Sequence, residues 1–418
     1  MFKPIVLANL TIENPIFAAP MAGITDRPYR MMIRKFSPDT PIVTEMISSH
    51  SLLENKGRVN KTNCARNFDD YSDGGLVGAQ IFGADPKIMA DAAKILEQHG
   101  AKWIDINMGC PVPKVAQRAG AGAFLMRDHK LAGRIVSAVV AAVKIPVSIK
   151  TRLGWDDAHL DSDDLVRIAR DAGASWATIH GRTRAAGYTG RADRDKAQGI
   201  RHKANIPVVY NGDLQTAADI VEIEKMGFDG AMIGRAMLGR PWIFAELQFN
   251  TILGANNYPL GLGANNSPLG GSRRSPGAHR RDGQAGGGTN SITDRTRPPT
   301  GARNSAPTPP KGGVVDTEPK GGVVGTQSKG GVAATPIVAA TPLVAATPLV
   351  VTTFLAEVVS EHFELVLEYY GERAGVPLFR KFAAWYANGM PGATGFRVRV
   401  NQIGNAAEMR SAIKQFFG

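Results

Sequence analysis

This chain of 418 residues has almost no cysteine: Cys64 and Cys110 are its two thiols, and they form no CxxC pair. That excludes a disulfide framework and points to a reducing compartment, so we expect a cytoplasmic protein. The eight histidines are scattered without HxxxH spacing, and no metal site is expected. A dinucleotide fingerprint is missing too, because Gly120-Ala121-Gly122 follows no strand-like run and Leu125 stands where the third glycine belongs. The charge-free stretch 330–356 is interrupted by Pro336, Pro342 and Pro348, poor material for a helix in lipid. The first residues, Met-Phe-Lys-Pro-Ile-Val, lack the apolar core of a signal peptide, so no membrane partner is expected.

What is present in excess is positive charge: the net formal charge is +12 and the pI about 9.7. A polyanionic partner is the first inference from such a balance. Half of that excess, however, lies in residues 254–350, which hold 10 Lys and Arg against 4 Asp and Glu. Charge alone therefore supports nucleic-acid binding weakly.

Eight short apolar runs follow one another, each leading through loop residues to a stretch with helical character. They are Ile16 to Ala18, Ile42 to Thr44, Val77 to Ile81, Trp103 to Ile106, Pro146 to Ile149, Trp176 to Ile179, Pro207 to Tyr210 and Gly230 to Ile233. Asp85-Pro86 opens a helix over Lys87 to His99 that Gly100 ends. This alternation predicts an α/β fold, a (β/α)8 TIM barrel over residues 1–253. Near-repeats then take over, Lys-Gly-Gly-Val at 311, 320 and 329 and Ala-Thr-Pro from 334 onward. With no periodic apolar face, residues 254–352 are expected to be a disordered insertion. Helical patterning returns over 353–418, a small helical domain whose Arg373, Arg380, Lys381, Arg397 and Arg399 suit phosphates or a solvated face equally well.

A barrel carries its chemistry at the C-terminal ends of its strands. Those ends read Pro20-Met21-Ala22, Thr44-Glu45, Gln80, Asn107 with Cys110, Lys150, His180, Asn211-Gly212-Asp213 and Gly234-Arg235. A polar residue at one strand end is usually a turn former, but seven polar ends around one mouth form a site. The last two, with Gly212 and Gly234 letting backbone approach an anion and Arg235 adding charge, fall where barrels hold a phosphate. Gln80 and Lys150 suit the pyrimidine edge of a flavin, with Lys150 steadying charge on the reduced ring. Lys150 reads otherwise as half of a buried ion pair, and His180 as a hydrogen-bonded core imidazole. Cys110 reads otherwise as a small buried hydrophobe.

The strings Ala19-Pro-Met-Ala-Gly-Ile-Thr-Asp-Arg-Pro28, Asp105-Ile-Asn-Met-Gly-Cys-Pro-Val-Pro-Lys114, Lys150-Thr-Arg-Leu-Gly-Trp155, His180-Gly-Arg-Thr-Arg184 and Asn211-Gly-Asp213 resemble the tRNA-dihydrouridine synthase family, nearest its bacterial B-type branch. The resemblance runs over about residues 5 to 250 and resumes at 354–418, where Lys381-Phe-Ala-Ala-Trp-Tyr386 and Gly389-Met-Pro-Gly392 look like the family's tRNA-binding domain. It implies FMN held by Pro20, Met21, Ala22, Gln80, Lys150, His180, Asn211, Gly212, Asp213, Gly234 and Arg235. It implies Cys110 as proton donor, Asn107 and Arg182 facing the target uracil, and NADPH or NADH as reductant. The implied reaction reduces the C5=C6 bond of particular tRNA uridines to dihydrouridine, in a monomer. The departure from the family is the insertion.

Three other readings stay open at this point. A flavin barrel acting on a free pyrimidine or an enone would have no tRNA affinity, and a Schiff-base lyase built on Lys150 would be colourless. An RNA-binding protein without activity would have no use for the site residues. Deleting residues 255–350 behind a short linker is expected to leave flavin content unchanged, with at most some loss of tRNA affinity, since the segment adds nonspecific positive charge. Loss of flavin on deletion would show that the segment belongs to the folded core.

Overall fold

A computed structural model describes residues 2–54, 71, 74–112, 115, 120–253 and 348–418. Cys64 and the greater part of the expected insertion lie outside the described residues. All eight predicted strands are present, and they close a parallel barrel. After an antiparallel hairpin of β1 (Ile5–Leu7) and β2 (Leu10–Ile12), the barrel begins with β3 (Ile16–Ala18) and α1 (Arg27–Phe36). The second barrel strand is broken into β4 (Ile42–Val43) and β5 (Ile47–Ser48), followed by α2 (Ser49–Glu54). Then come β6 (Val77–Phe82), α3 (Pro86–Gln98), β7 (Trp103–Asn107), α4 (His129–Ala142), β8 (Val147–Arg152) and α5 (Ser162–Asp171). The last repeats are β9 (Trp176–His180), α6 (Arg194–Ala204), β10 (Val208–Asn211), α7 (Ala217–Lys225), β11 (Gly230–Ile233) and α8 (Ile243–Leu253).

Every adjacent barrel pair is parallel; β11 pairs with β3, and β4 pairs with both β3 and β6, which completes the ring. Beyond the Thr44 N–H bond to the Gly78 carbonyl the second strand breaks and takes Glu45 and Met46 out of the ladder, so Glu45 stands at the mouth although the strand itself is short. Short polar side chains start the helices: Asp26, Asp85, Asp128 and Asp193 each accept backbone N–H bonds as N-caps, and Thr216 with Asp219 forms a capping box on α7.

Alternation along the strands divides the apolar residues into two cores. Phe17, Ala19, Val43, Trp103, Trp176, Val209 and Met232 pack together at the barrel axis, with Trp103 and Trp176 ring centroids 5.7 Å apart. Ile5 and Ile12 join this cluster, so the hairpin covers the N-terminal end of the barrel. The other faces, including Ile104, Ile106, Ile149 and Ile179, pack under the helices.

Four helices follow: α9 (Pro348–Tyr370), α10 (Glu372–Tyr386), α11 (Ala393–Gln402) and α12 (Ala406–Phe417). The first opens five residues before position 353, on a proline that fits a first helical turn. These helices share the outer core, where Trp242 meets Phe354 and Tyr386, and the stack on Tyr29 includes Phe382. His362 is fully buried in that seam, its Nδ1 3.1 Å from the Tyr386 hydroxyl, and burial pushes it down to about 3, so it is neutral. No helix of the described residues is long and apolar enough to cross a membrane.

Gly78 shows how tightly the axis is filled, because a Cβ there would stand 1.9 Å from Trp103 Cε2. Gly78→Ala is expected to lower the unfolding free energy by about 1–3 kcal/mol. Urea unfolding followed by circular dichroism reads this directly, and an unchanged midpoint would mean that the tryptophan layer yields freely.

Candidate active site

Above the apolar floor the register brings polar side chains into rings. Gln80 of β6 lies opposite Asp105 of β7, and Asp105 lies opposite Ser148 of β8. Asp105 is 1% exposed, and its carboxylate accepts from Gln80 Nε2 and from Ser148 Oγ, both at 2.6 Å. An ionised carboxylate accepts only, so it forces the Gln80 amide to point its nitrogen inward. Gln80 Oε1 therefore accepts from Asn107 Nδ2 at 2.8 Å, and Asn107 Oδ1 accepts from the backbone N–H groups of Gly109 and Cys110 at 3.2 and 2.9 Å. One buried acid thus sets the orientation of two amides and the course of the Cys110 loop. Desolvation pushes Asp105 up to about 6, against the two hydrogen bonds and Lys150.

The next ring holds Asn107, Lys150, His180 and Asn211. Lys150 Nζ donates to Asn211 Oδ1 at 2.9 Å, and Asn211 Nδ2 donates to the Met232 carbonyl. Desolvation and then the Arg152 charge push Lys150 down to about 8, opposed by Asp105 and Cys110. His180 is held well below its usual range by burial and by Lys150, Arg152, Arg182 and Arg235. The imidazole is therefore neutral, and its Nε2 lies 3.3 Å from the Arg182 guanidinium. Cys110 is half-buried; desolvation raises its thiol more than the Val112 N–H, Arg152 and Lys150 lower it, so the proton stays on sulfur at neutral pH.

Asp213 ties the last three loops together. Its Oδ2 accepts from Arg182 at 2.7 Å and from Ala192 N–H at 2.9 Å, and its Oδ1 accepts from Arg235 at 2.5 Å. Burial would raise this carboxyl, but the Ala192 N–H and the two arginines hold it below its usual range. The turn runs through φ of +141° at Gly212 and +50° at Asp213, and a Cβ on Gly212 would meet Ala192 Cβ at 2.6 Å, so only glycine fits. Beside it, a Cβ on Gly234 would meet nothing nearer than Ala19 and Met21, at 3.9 and 4.0 Å. A side-chain carbon there would thus rest in ordinary contact with the loop after β3 and would not clash with it.

The structure therefore brings Pro20, Met21, Ala22, Gln80, Asn107, Cys110, Lys150, His180, Arg182, Asn211, Gly212, Asp213, Gly234 and Arg235 to one end of one barrel. Within that set the work is divided differently from a simple ring of ligands. Gln80, 1% exposed, spends its amide on Asp105 and Asn107, and Arg182, 4% exposed, also donates to the Thr189 and Gly190 carbonyls. Two residues were not singled out from the sequence. Arg152 donates to the carbonyls of Gly109, Thr183 and Gly187 and lies 5.5 Å from the Tyr188 ring, joining the loops after β7 and β9. Its signal was present, because Lys150-Thr-Arg152 puts both cations on one face of a strand. Asp105 carried no such signal; its role comes from cross-strand register.

A closed parallel barrel with four cations around a neutral histidine, a protonated thiol and a glycine turn is a barrel whose C-terminal mouth is suited to an anionic ligand. The family model for dihydrouridine synthases (Dus) matches residues 17–259, and the chain belongs to that family. A probable tRNA-dihydrouridine synthase of Rickettsia conorii is 29% identical over 415 residues, covering 99% of this chain and 96% of its own. The tRNA-dihydrouridine synthase B of Pseudomonas putida is 41% identical over 243 residues, 58% of this chain and 70% of that protein. Morphinone reductase superposes with a TM-score of 0.43 at 13% identity, covering 61% of this chain and 90% of that one, too distant to bear on chemistry.

Asp105→Asn is expected to keep the amide chain, since the Ser148 hydroxyl can accept where it now donates, while Asp105→Ala leaves a buried N–H unpaired at a cost of about 1–3 kcal/mol. The Asn variant also removes the negative charge that supports Lys150, so any activity that needs the ammonium falls off at lower pH than in the wild type. An alkaline limb that stays in place would remove the Asp105–Lys150 coupling.

Proposed function

We propose that this protein reduces the C5=C6 bond of particular uridines in tRNA, using FMN at the barrel mouth and NADPH or NADH as reductant. The observation that carries the reading is the half-buried Cys110, held on the loop after β7 by its N–H bond to Asn107 Oδ1 and by Arg152 on the Gly109 carbonyl, beside Lys150 at the same mouth. The donor set fits an anionic, planar cofactor. Lys150, Arg152, Arg182 and Arg235 outnumber Asp105 and Asp213, and Gly234 is only half-buried beside the exposed Arg235. When bound and reduced by the nicotinamide, FMN supplies hydride to C6 of the uracil.

The chain's own residues do the rest. Gly234 and Arg235, with the Asn211-Gly212-Asp213 turn, bind the phosphate, and Pro20, Met21 and Ala22 on the adjoining β3 loop line the same side. Lys150 places positive charge where the reduced cofactor is negative, and neutral His180 adds no further repulsion among the arginines. Cys110 gives its proton to C5, a transfer that a positioned acid accelerates. Asn107 and Arg182 act at the uracil through the loops they hold. The base must leave its stack to reach this floor, which costs a few kcal/mol and less in a loop than in a duplex. The exposed Arg373 and Arg399 of residues 353–418 are suited to phosphates, whereas Arg380 is turned inward onto the Ile403 carbonyl. Such a protein works as a monomer in the cytoplasm, without a metal.

Cys110→Ala is expected to bind FMN, stay yellow and be bleached by NADPH, while reoxidation by tRNA slows by roughly two to four orders of magnitude. Cys64→Ala is the matched control and should be silent. Single-turnover formation of dihydrouridine at the normal rate by Cys110→Ala would take the thiol out of the reaction, and a colourless purified protein would refute the flavin.

A further inference from the structure

The C-terminal helices hold the loop after β3 from outside the barrel. Lys381 of α10 donates to the Gly23 carbonyl, and the Gly23 N–H donates to Glu45 in the break of the second strand. Gly23 has φ of +72°, the backbone conformation that favours glycine, and a Cβ there would lie 3.0 Å from the Lys381 ammonium. Tyr370, the last residue of α9, donates to Asp26 Oδ2 at 2.9 Å, while Asp26 Oδ1 accepts from Tyr29 N–H and caps α1. Asp26 is wholly buried, and together with Glu45 it forms the acidic surroundings of the Lys381 ammonium.

The same helix closes on the loop after β11. A Cβ on Gly239 would stand 2.6 Å from the Trp385 carbonyl, and the Tyr29 hydroxyl, whose ring stacks on Phe382, donates to the Met237 carbonyl two residues beyond Arg235. Since β3 and β11 are paired neighbours, α9 and α10 brace both loops on one side of the mouth. The β3 loop transmits what happens at Gly23, because it is a tight turn: Ile24 and Thr25 N–H groups both donate to the Met21 carbonyl, and Met21 N–H donates to Thr25 Oγ1 at 2.9 Å. Any shift of Gly23 moves Met21 and Ala22.

We propose that Lys381 is a positioning residue for the cofactor: by fixing Gly23 against Glu45 it sets how the loop of Met21 and Ala22 meets the flavin. The helical region thereby tunes flavin affinity and environment in addition to meeting RNA. This rests on the flavin reading given above. Simple mechanical attachment of helices to barrel differs from it in one respect, because attachment alone changes the melting temperature and leaves the spectrum of fully loaded enzyme untouched.

Full-length Lys381→Met, Lys381→Arg and Tyr370→Phe separate the two, with FMN titrated by fluorescence quenching and visible spectra taken at saturating FMN. Lys381→Met is expected to weaken FMN about tenfold, the scale of a lost charge-assisted hydrogen bond that orders a binding loop. It should also shift the flavin absorption bands of the loaded enzyme. Lys381→Arg should restore both, and Tyr370→Phe should move both in the same direction by less. Wild-type affinity and spectrum in folded Lys381→Met would overturn the proposal; if that variant does not fold, unchanged values in Tyr370→Phe overturn it instead. Arg235→Ala keeps the two levels apart. If it weakens FMN while Lys381→Met does not, only the positioning role fails, and if wild-type protein takes up no FMN, the flavin reading fails.

Discussion

In a closed parallel barrel every second residue of every strand faces the axis, and the axis has room for few of them. This chain meets the constraint by stacking its inward positions in order of polarity. Trp103, Asp105 and Asn107 are successive inward residues of β7, and Trp176, Thr178 and His180 are those of β9. The tryptophans fill the floor, a carboxylate and two hydroxyl-bearing residues form the middle, and hydrogen-bonding side chains reach the mouth. Burying Asp105 in the middle ring is costly, as its raised titration shows, and its two short hydrogen bonds compensate. In return the Gln80 and Asn107 amides each have a single orientation.

The mouth has the opposite electrostatic character. Lys150, Arg152, Arg182 and Arg235 gather there, and the acids that face them are few and already committed to the protein: Asp105 to Gln80 and Ser148, Asp213 to Arg182, Arg235 and the Ala192 backbone. Neutral His180 is the sign of that imbalance, since a protonated imidazole among four cations would be strongly disfavoured. An anion at this position relieves repulsion that the apo protein bears, which is why the cationic mouth and the glycine turn belong to one functional unit.

The strands were legible in the sequence because parallel strands buried on both faces read as short apolar runs, and Ile16 to Ala18 and Gly230 to Ile233 were placed without error in their bounds. The gathering of the candidate site at one end of the barrel was legible because polar residues at strand ends are conspicuous against those runs. Three features were not. The break between β4 and β5 depends on Glu45 reaching Gly23, a contact made across the mouth. The β1–β2 hairpin consists of three-residue strands, too short to show a period. Lys381 read as a surface cation because nothing local says that a carbonyl 358 positions earlier will face it. Each depends on a meeting of distant segments, and one sequence records no such distances.

The hairpin at the foot of the barrel bears on the order of events. With Ile5 and Ile12 seated against the aromatic floor, the N-terminal end of the barrel is filled, and among the described residues the polar strand ends all lie at the other end. On the proposed reading a nicotinamide and a tRNA would have to reach that same end, and two reactants too bulky to occupy it together would visit in turn, with the protein holding the reducing equivalents between visits.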